Sequence, residues 1–501
     1  MGEFRPFRAI SRDWSDATAC QMPSPDLRDP AVLAEHAAGV LHWWARSPKP
    51  AAGGGLFHCL RDDGSVFDTR TRHLVSSTRL CVQFAWAITH GVPEPPAPAP
   101  SWRALLDSSL AFLRRAHRQG NGGYAWILNV SGDEARVESA GAPAAAAPAA
   151  ADEESTQDLN VRAYGLAFVL LAYSSALAAG TEGAREWVDE VTATLTARFW
   201  EEAHGLYADE ASADFSVLDR YRGQNANMHA VEAHMAAFRA TRDALHLARA
   251  RTIARSMCVR QAALVDAATG AGALVYEHYS PDWSAPDLEF NKDKPKDRFR
   301  PYGFQPGHLL EWSKLLCQLE ELGPEEADGA PPAGGPWRLA TAARFFEAAC
   351  RGWDTARGGG FVYSCSPVPG LPLGDEDKYK WPQAEGVAAA ALLANAADKA
   401  GDAALRDSWL AWYDKIIALC WTHFVDHKLG SWFRVLGPNL EKLDDRKCPQ
   451  VRPTLNTFRA RPAHPARYSS PTRSFAPLTG PARLTTTQLG CALTRRQRCA
   501  K

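Results

Sequence analysis

The sequence predicts an all-α fold, an (α/α)6 barrel with short β-hairpins at one end and an irregular C-terminal tail. Ala- and Leu-rich stretches with apolar residues at three-to-four spacing recur along the chain and predict helices. Six times such a stretch leads into a glycine and a short aromatic or β-branched run. These are GGGLFHCL from Gly53, GGYAWIL from Gly122, HGLYADE from His204, AGALVYEH from Ala271, GGGFVYSC from Gly358 and LGSWFRVL from Leu429. Successive glycines stand far enough apart for two helices and their connections. An open solenoid of such units would need polar caps at both ends, whereas a closed ring needs none and accommodates six.

In chain order the predicted helices are Ala31–Trp44, Arg79–Thr89, Ala104–His117, Val161–Ala178, Ala184–Trp200 and Met228–Thr241. They continue with Ala244–Arg255, Gly307–Leu322, Ala340–Gly352, Gln383–Ala400 and Ala403–Trp421. Three inserts read as loops. Glu138–Thr156 is Ala/Pro-rich and has no packing face, Asp287–Arg300 is highly charged, and Gly323–Pro336 is Pro/Gly-rich and acidic. The expected organisation is an N-terminal extension over 1–28, a barrel over 29–447 and a basic tail over 448–501. Between Val451 and Lys501 there are six prolines, ten Lys/Arg and no Asp/Glu.

A hydrophobic content of 46% and 17 tryptophans across 501 residues imply a large core. A net charge of −1 argues against nucleic acid or an anionic membrane as the main partner. No apolar run reaches membrane-spanning length. MGEFRPFRAISRDW lacks the apolar centre of a secretory signal, so the expectation is a cytoplasmic protein. The eleven cysteines form no Cys-x-x-Cys pair and are expected to be reduced thiols.

The stretch that carries chemistry is PYGFQPGHLLEWSKLL, from Pro301. Pro306 and Gly307 open a helix on which His308 and Glu311 share one face. His229 and Glu232 repeat that spacing in NANMHAVEAHMAAF. An imidazole beside a carboxylate is oriented and made more basic, which suits proton transfer near neutral pH. Arg79 suits a developing negative oxygen. Trp381 offers a stacking face, Asn225 and Gln383 match hydroxyl groups, and Glu385 is a further candidate polar position. His234, His423 and His427 read as structural. Two His-x-x-Glu helices also form a conceivable metal site, although His-Glu-x-x-His is absent and the di-iron pattern runs in the reverse order. An acid/base centre without cofactor or metal is the simpler expectation. Nucleotide loops and Gly-x-Ser-x-Gly are missing.

The stretches RGQNANMHAVEAHMAAFRATRD, NKDKPKDRFRPYGFQPGHLLEW, DKYKWPQAEGVAAAALL and HFVDHKLGSWFRVL resemble the N-acylglucosamine 2-epimerase superfamily, most of all its mannose and sulfoquinovose isomerase type. The resemblance runs from about Asp29 to Lys447. It implies a metal-free aldose–ketose isomerase acting on a monosaccharide through a cis-enediolate, as a monomer or homodimer. A 2-epimerase on N-acylglucosamine or a disaccharide is the alternative. By matched position, His308 paired with Glu311 serves in ring opening or proton transfer. Arg79 binds substrate oxygen, Asn225 and His229 contact the sugar, and Trp381, Gln383 and Glu385 line the pocket. A glycoside hydrolase using Glu311 and Glu385, and a non-catalytic sugar binder, are rival readings. The resemblance also implies a helix with a second catalytic histidine after the sixth hairpin. LEKLDDRKCP approaches it, and then the tail begins. Neither His423 nor His427 matches that position, and His464 lies in unrelated sequence. The expectation is a missing last barrel helix and an altered C-terminus, from a misread frame or splice.

Overall fold

The computed structural model describes residues 25–47, 54–131, 136–137, 156–297, 299–323, 337–366 and 374–449. All belong to the unit Met1–Phe458; the second unit, Arg459–Lys501, lies outside the described residues. The chain forms α1 (Pro30–Arg46), α2 (Leu74–Thr89), α3 (Trp102–Phe112), α4 (Ala163–Ala178), α5 (Ala184–Arg198) and α6 (Gln224–Thr241). It continues with α7 (Ala244–Arg255), α8 (Ala262–Thr269), α9 (Pro306–Glu321), α10 (Trp337–Ala349), α11 (Lys380–Lys399) and α12 (Ala403–Leu419). A π turn, Ser256–Gln261, joins α7 to α8.

Among the described residues, α2, α4, α6, α9 and α11 form the inner ring, each packed on the next. The others lie outside it. Helix α4 shows what an inner position demands. AYGLAFVLLAYSSALA has apolar residues on every side, and Leu166, Phe168, Leu170 and Tyr173 are all buried, because neighbours cover both faces. Four of the outer helices, α1, α3, α7 and α12, start on polar caps that satisfy free N–H groups. Asp29 accepts from Ala31 N–H, Ser101 from Ala104, Asp243 from Leu245 and Asp402 from Leu405.

Short strands sit at the N-terminal ends of the inner helices. Thr71–His73, Val161–Arg162, Arg222–Gly223 and Lys378–Tyr379 run directly into α2, α4, α6 and α11. Each pairs antiparallel with a hairpin strand of the neighbouring unit. Leu60–Arg61 pairs with Arg446–Lys447, which joins the first hairpin to the sixth and closes this end of the ring. Buried Lys447 anchors the closure, its Nζ donating to Asp426 Oδ2 at 2.7 Å and to the Gly430 carbonyl at 2.6 Å.

Beside that pair, Cys59 and Cys448 form a disulfide with Cα atoms 4.7 Å apart. The expectation of reduced thiols throughout is therefore wrong here. The two cysteines are 389 residues apart, and only the strand register brings them together. Cys81, Cys258, Cys317, Cys350, Cys365 and Cys420 are free.

Helices α2, α6 and α11 begin three to five residues before the starts expected from periodicity. Their first turns, LVSST, QNAN and KWPQ, place polar side chains where the apolar pattern should be. Most of the Asp287–Arg300 insert is described and forms turns. The expected N-terminal extension through 24, the inserts at 138–155 and 324–336, the tail from 450, His464 and the position of a last barrel helix lie outside the described residues. No described helix is long and apolar enough to cross a membrane.

Candidate active site

A cavity open to solvent lies at the N-terminal ends of the inner helices. Helix α2 contributes Ser76 and Arg79, α4 Tyr164, α6 Asn225 and His229, α9 His308 and Glu311, and α11 Trp381 and Glu385. Because these residues occupy the opening turns, the positive ends of several helix dipoles face the same space. That potential favours negative charge on a bound oxygen.

His308 is held by a carboxylate that the sequence reading missed. Its Nδ1 lies 3.0 and 2.9 Å from the two oxygens of Glu277, not against Glu311. Glu277 is buried and also accepts from the Gln305 backbone N–H at 3.1 Å and from Gln224 Nε2 at 3.0 Å. Gln224 is oriented in turn by Trp312 Nε1, which donates to its Oε1 at 2.8 Å. Gln224 Nε2 also lies 2.7 Å from His308 Nδ1, but as a donor it supplies no acceptor there. With donors converging on the carboxylate, Nδ1 is the nitrogen placed to donate to Glu277, and in the neutral ring that leaves the lone pair on Nε2. Burial alone would raise Glu277; His308 and the Gln224 hydrogen bond outweigh it and hold the carboxyl below its usual range.

The expected His308–Glu311 pair is thus corrected. Sharing a helix face takes both side chains to the cavity, but the ring turns toward the hairpin that carries Glu277. Glu311 instead faces His229, whose Nδ1 lies 3.4 Å from Glu232 and 3.8 Å from Glu311. Burial lowers the His229 pKa against the pull of both carboxylates, which favours the neutral ring. Tyr164 packs edge-on to it at 5.1 Å and Phe168 lies at 4.6 Å.

Buried Lys314, which the sequence reading also missed, is the counter-charge beneath this pair. Its Nζ lies 2.5 Å from Glu385, 3.4 Å from Glu311 and 4.0 Å from Glu232. Burial pushes Glu311 up, but Lys314 and His229 overcome it and hold the carboxyl low. Burial raises Glu385 to about 7 despite Lys314, with the Glu311 charge adding to the rise. Neighbouring carboxyls with opposite shifts divide acid and base roles. His229, Glu232 and Glu311 bring ligand atoms within 4.8 Å of one another, the spacing of a metal site. The Lys314 ammonium already contacts Glu311 and faces Glu232, so the charge a cation would neutralise is answered from within the protein.

Seven of the nine residues expected from sequence line the cavity: Arg79, Asn225, His229, His308, Glu311, Trp381 and Glu385. Two do not. Glu232 stands behind His229. Gln383 is fully buried and spent on backbone, accepting from Phe361 N–H and donating to the Phe361 and Tyr379 carbonyls. Trp381 packs at 5.0 Å from the His308 ring. Its approach requires Gly307, where a Cβ would lie 2.6 Å from the indole. Arg79 sits 4.6 Å over the Phe168 ring and hydrogen-bonds Tyr164. His58, His73, Val75, Phe299, Gln305, Tyr363 and Tyr379 complete the wall, none of them singled out by sequence. His234 bonds Tyr207 and His246, and exposed His427 bonds the Trp421 carbonyl.

A ring of paired helices is the fold this chain shares with sugar isomerases and epimerases. The family model for N-acylglucosamine 2-epimerase (GlcNAc 2-epimerase) matches residues 55–151 and 145–451. The chain belongs to that family. It is 37% identical over 409 residues to a D-mannose isomerase of Marinomonas mediterranea, covering 81% of this chain and 90% of that one. A D-mannose isomerase of Thermobifida fusca is 35% identical over 373 residues, covering 71% and 82%. A crystal structure of D-mannose isomerase superposes with a TM-score of 0.71 at 35% identity, over 87% of this chain and 97% of that one. The cellobiose 2-epimerase of Spirochaeta thermophila shares the fold, with a TM-score of 0.63 at 19% identity over 86% and 96%.

Proposed function

We propose that this enzyme interconverts D-mannose and D-fructose, as an aldose–ketose isomerase acting through a cis-enediolate. The observation that carries the reading is the contact of His308 Nδ1 with both carboxylate oxygens of Glu277. Glu277 fixes the hydrogen on Nδ1, so Nε2 is available to remove the C2 hydrogen of the open-chain aldose. The electron pair moves to the carbonyl, and the helix N-termini and Arg79 stabilise the enediolate oxygen. The proton returns from Nε2 to C1, the O2 hydrogen passes to O1, and the ketose results. Protonation at C1 on the same face needs one base, whereas inversion at C2 needs a base on each face. Trp381 supplies a stacking surface, Asn225 a hydroxyl partner and Glu385 a carboxyl that keeps its proton close to neutrality. The identity to D-mannose isomerases supports mannose as the substrate.

The test is mannose in deuterated water followed by NMR. Fructose labelled at C1 is expected, and His308→Ala reduces its formation by at least about a thousandfold. Glucose labelled at C2 as the main product, no turnover, or full activity in the variant overturns the reading.

A further inference from the structure

His73 lines the same cavity at the N-cap of α2, and the sequence reading gave it no role. Its Nδ1 accepts the Val75 backbone N–H at 3.1 Å. An imidazole that accepts at Nδ1 must, when neutral, carry its hydrogen on Nε2. Burial, followed by the nearby charges of His58, Arg162, His117 and Arg79, drives the His73 pKa well below its ordinary value. The ring is only 4% exposed, and its Nε2 has no partner among the described residues. It cannot easily turn to find one. Trp126 packs edge-on at 4.5 Å, His58 stacks at 5.3 Å and Phe299 at 6.1 Å.

Capping alone does not account for this residue. Ser, Asp and Asn cap helices well without burying an unpaired donor on the far side. Two acceptors in the same wall, Asn225 Oδ1 and Gln305 Oε1, are likewise without partners among the described residues. A polyol hydroxyl both donates and accepts, so one fixed donor and two acceptors match a sugar and not an apolar ligand. We propose that His73 is a substrate-binding residue, whose Nε2–H donates to one hydroxyl oxygen of the sugar. It binds and does not act as a base, because its only lone pair is held by Val75. This inference rests on the sugar-isomerase reading of the cavity.

The experiment compares wild type with His73→Asn, which keeps a good cap and removes the far donor. Calorimetry with mannitol, a non-reacting acyclic polyol, and its monodeoxy analogues reads binding without turnover. Wild type should lose about tenfold or more in affinity for one monodeoxy analogue. His73→Asn should bind mannitol about tenfold more weakly and no longer distinguish that analogue. His73→Gln, which returns an N–H near the original reach, should recover part of the loss. Melting temperatures confirm folding. Unchanged affinity in His73→Asn, or an unchanged deoxy pattern, overturns the proposal. Wild type that binds mannitol but does not convert mannose sinks the isomerase reading and leaves His73 as a sugar contact. Wild type that binds no polyol sinks both.

Discussion

Replacing Glu277 by Gln removes one charge from a residue that does not line the cavity, which makes it a clean probe of the His308 assignment. When Nε2 takes a proton, the positive imidazole faces the Glu277 carboxylate through an Nδ1 contact of 2.9 Å. Charge centres about 4 Å apart at an effective dielectric of about 20 interact by about 4 kcal/mol. That is roughly three decades of rate. The loss should fall on kcat, with KM changed by no more than about threefold, because Glu277 is not among the residues lining the cavity that would hold the sugar. Fructose formation at saturating and limiting mannose separates the two constants. A modest drop in melting temperature is expected as well, since a Gln side chain has one acceptor fewer for Gln305 N–H, Gln224 and His308. Were a folded Glu277→Gln enzyme to keep kcat within about tenfold of wild type, His308 would not be the proton carrier.

The raised Glu385 carboxyl makes stability depend on pH. Between its unfolded value near 4.5 and its folded value of about 7, the native state holds more protons than the unfolded one, so this group makes stability fall as pH rises through that window. Melting curves at pH 5, 6, 7 and 8 should show that slope in wild type and a flatter one in Glu385→Gln. Gly307→Ala drives a methyl against Trp381 and should cost about 1–3 kcal/mol while raising KM for mannose. Cys59→Ser removes the disulfide across the ring closure and should cost about 2–4 kcal/mol, and reductant should lower the wild-type melting temperature but not that of the variant.

The ring was legible because its signals are local. Helices with apolar stripes and glycine-led hairpins report their own geometry, and six of them need only be counted. The site was half legible. His229, His308, Arg79 and Trp381 stand near helix starts, and their types imply their chemistry. Their partners were not legible, because a hydrogen bond between Glu277 and His308 spans 31 residues and leaves no spacing to read. Glu277 did lie inside a recognised motif, AGALVYEH, as its one acid, and a buried hairpin carboxylate next to aromatic residues could have been asked for its partner. Gln383 misled for the opposite reason: a polar side chain in a cavity-facing helix can be consumed by backbone, and composition does not tell the two apart. The early starts of α2, α6 and α11 share one cause. Function replaced apolar residues with polar ones at the end of each helix where the sugar would sit, so periodicity fails where chemistry begins.

The arrangement of the two imidazoles also bears on the outcome of the reaction. Helices α6 and α9 are neighbours in the inner ring, so His229 and His308 approach a bound sugar from one arc of the wall. Ring nitrogens on one arc can serve one face of an enediolate, which permits transfer from C2 to C1; among the described residues they do not supply the opposed base that inversion requires. His73, on the strand leading into α2, does not fill that place, because Val75 holds its acceptor nitrogen. A single carrier on one face should also return part of the hydrogen it removes. Mannose deuterated at C2, turned over in ordinary water, should therefore give fructose with measurable deuterium at C1 and at one prochiral position, read by NMR before equilibrium. Deuterium spread equally over both C1 positions would mean that the proton is delivered from two sides, and the one-arc account would fail.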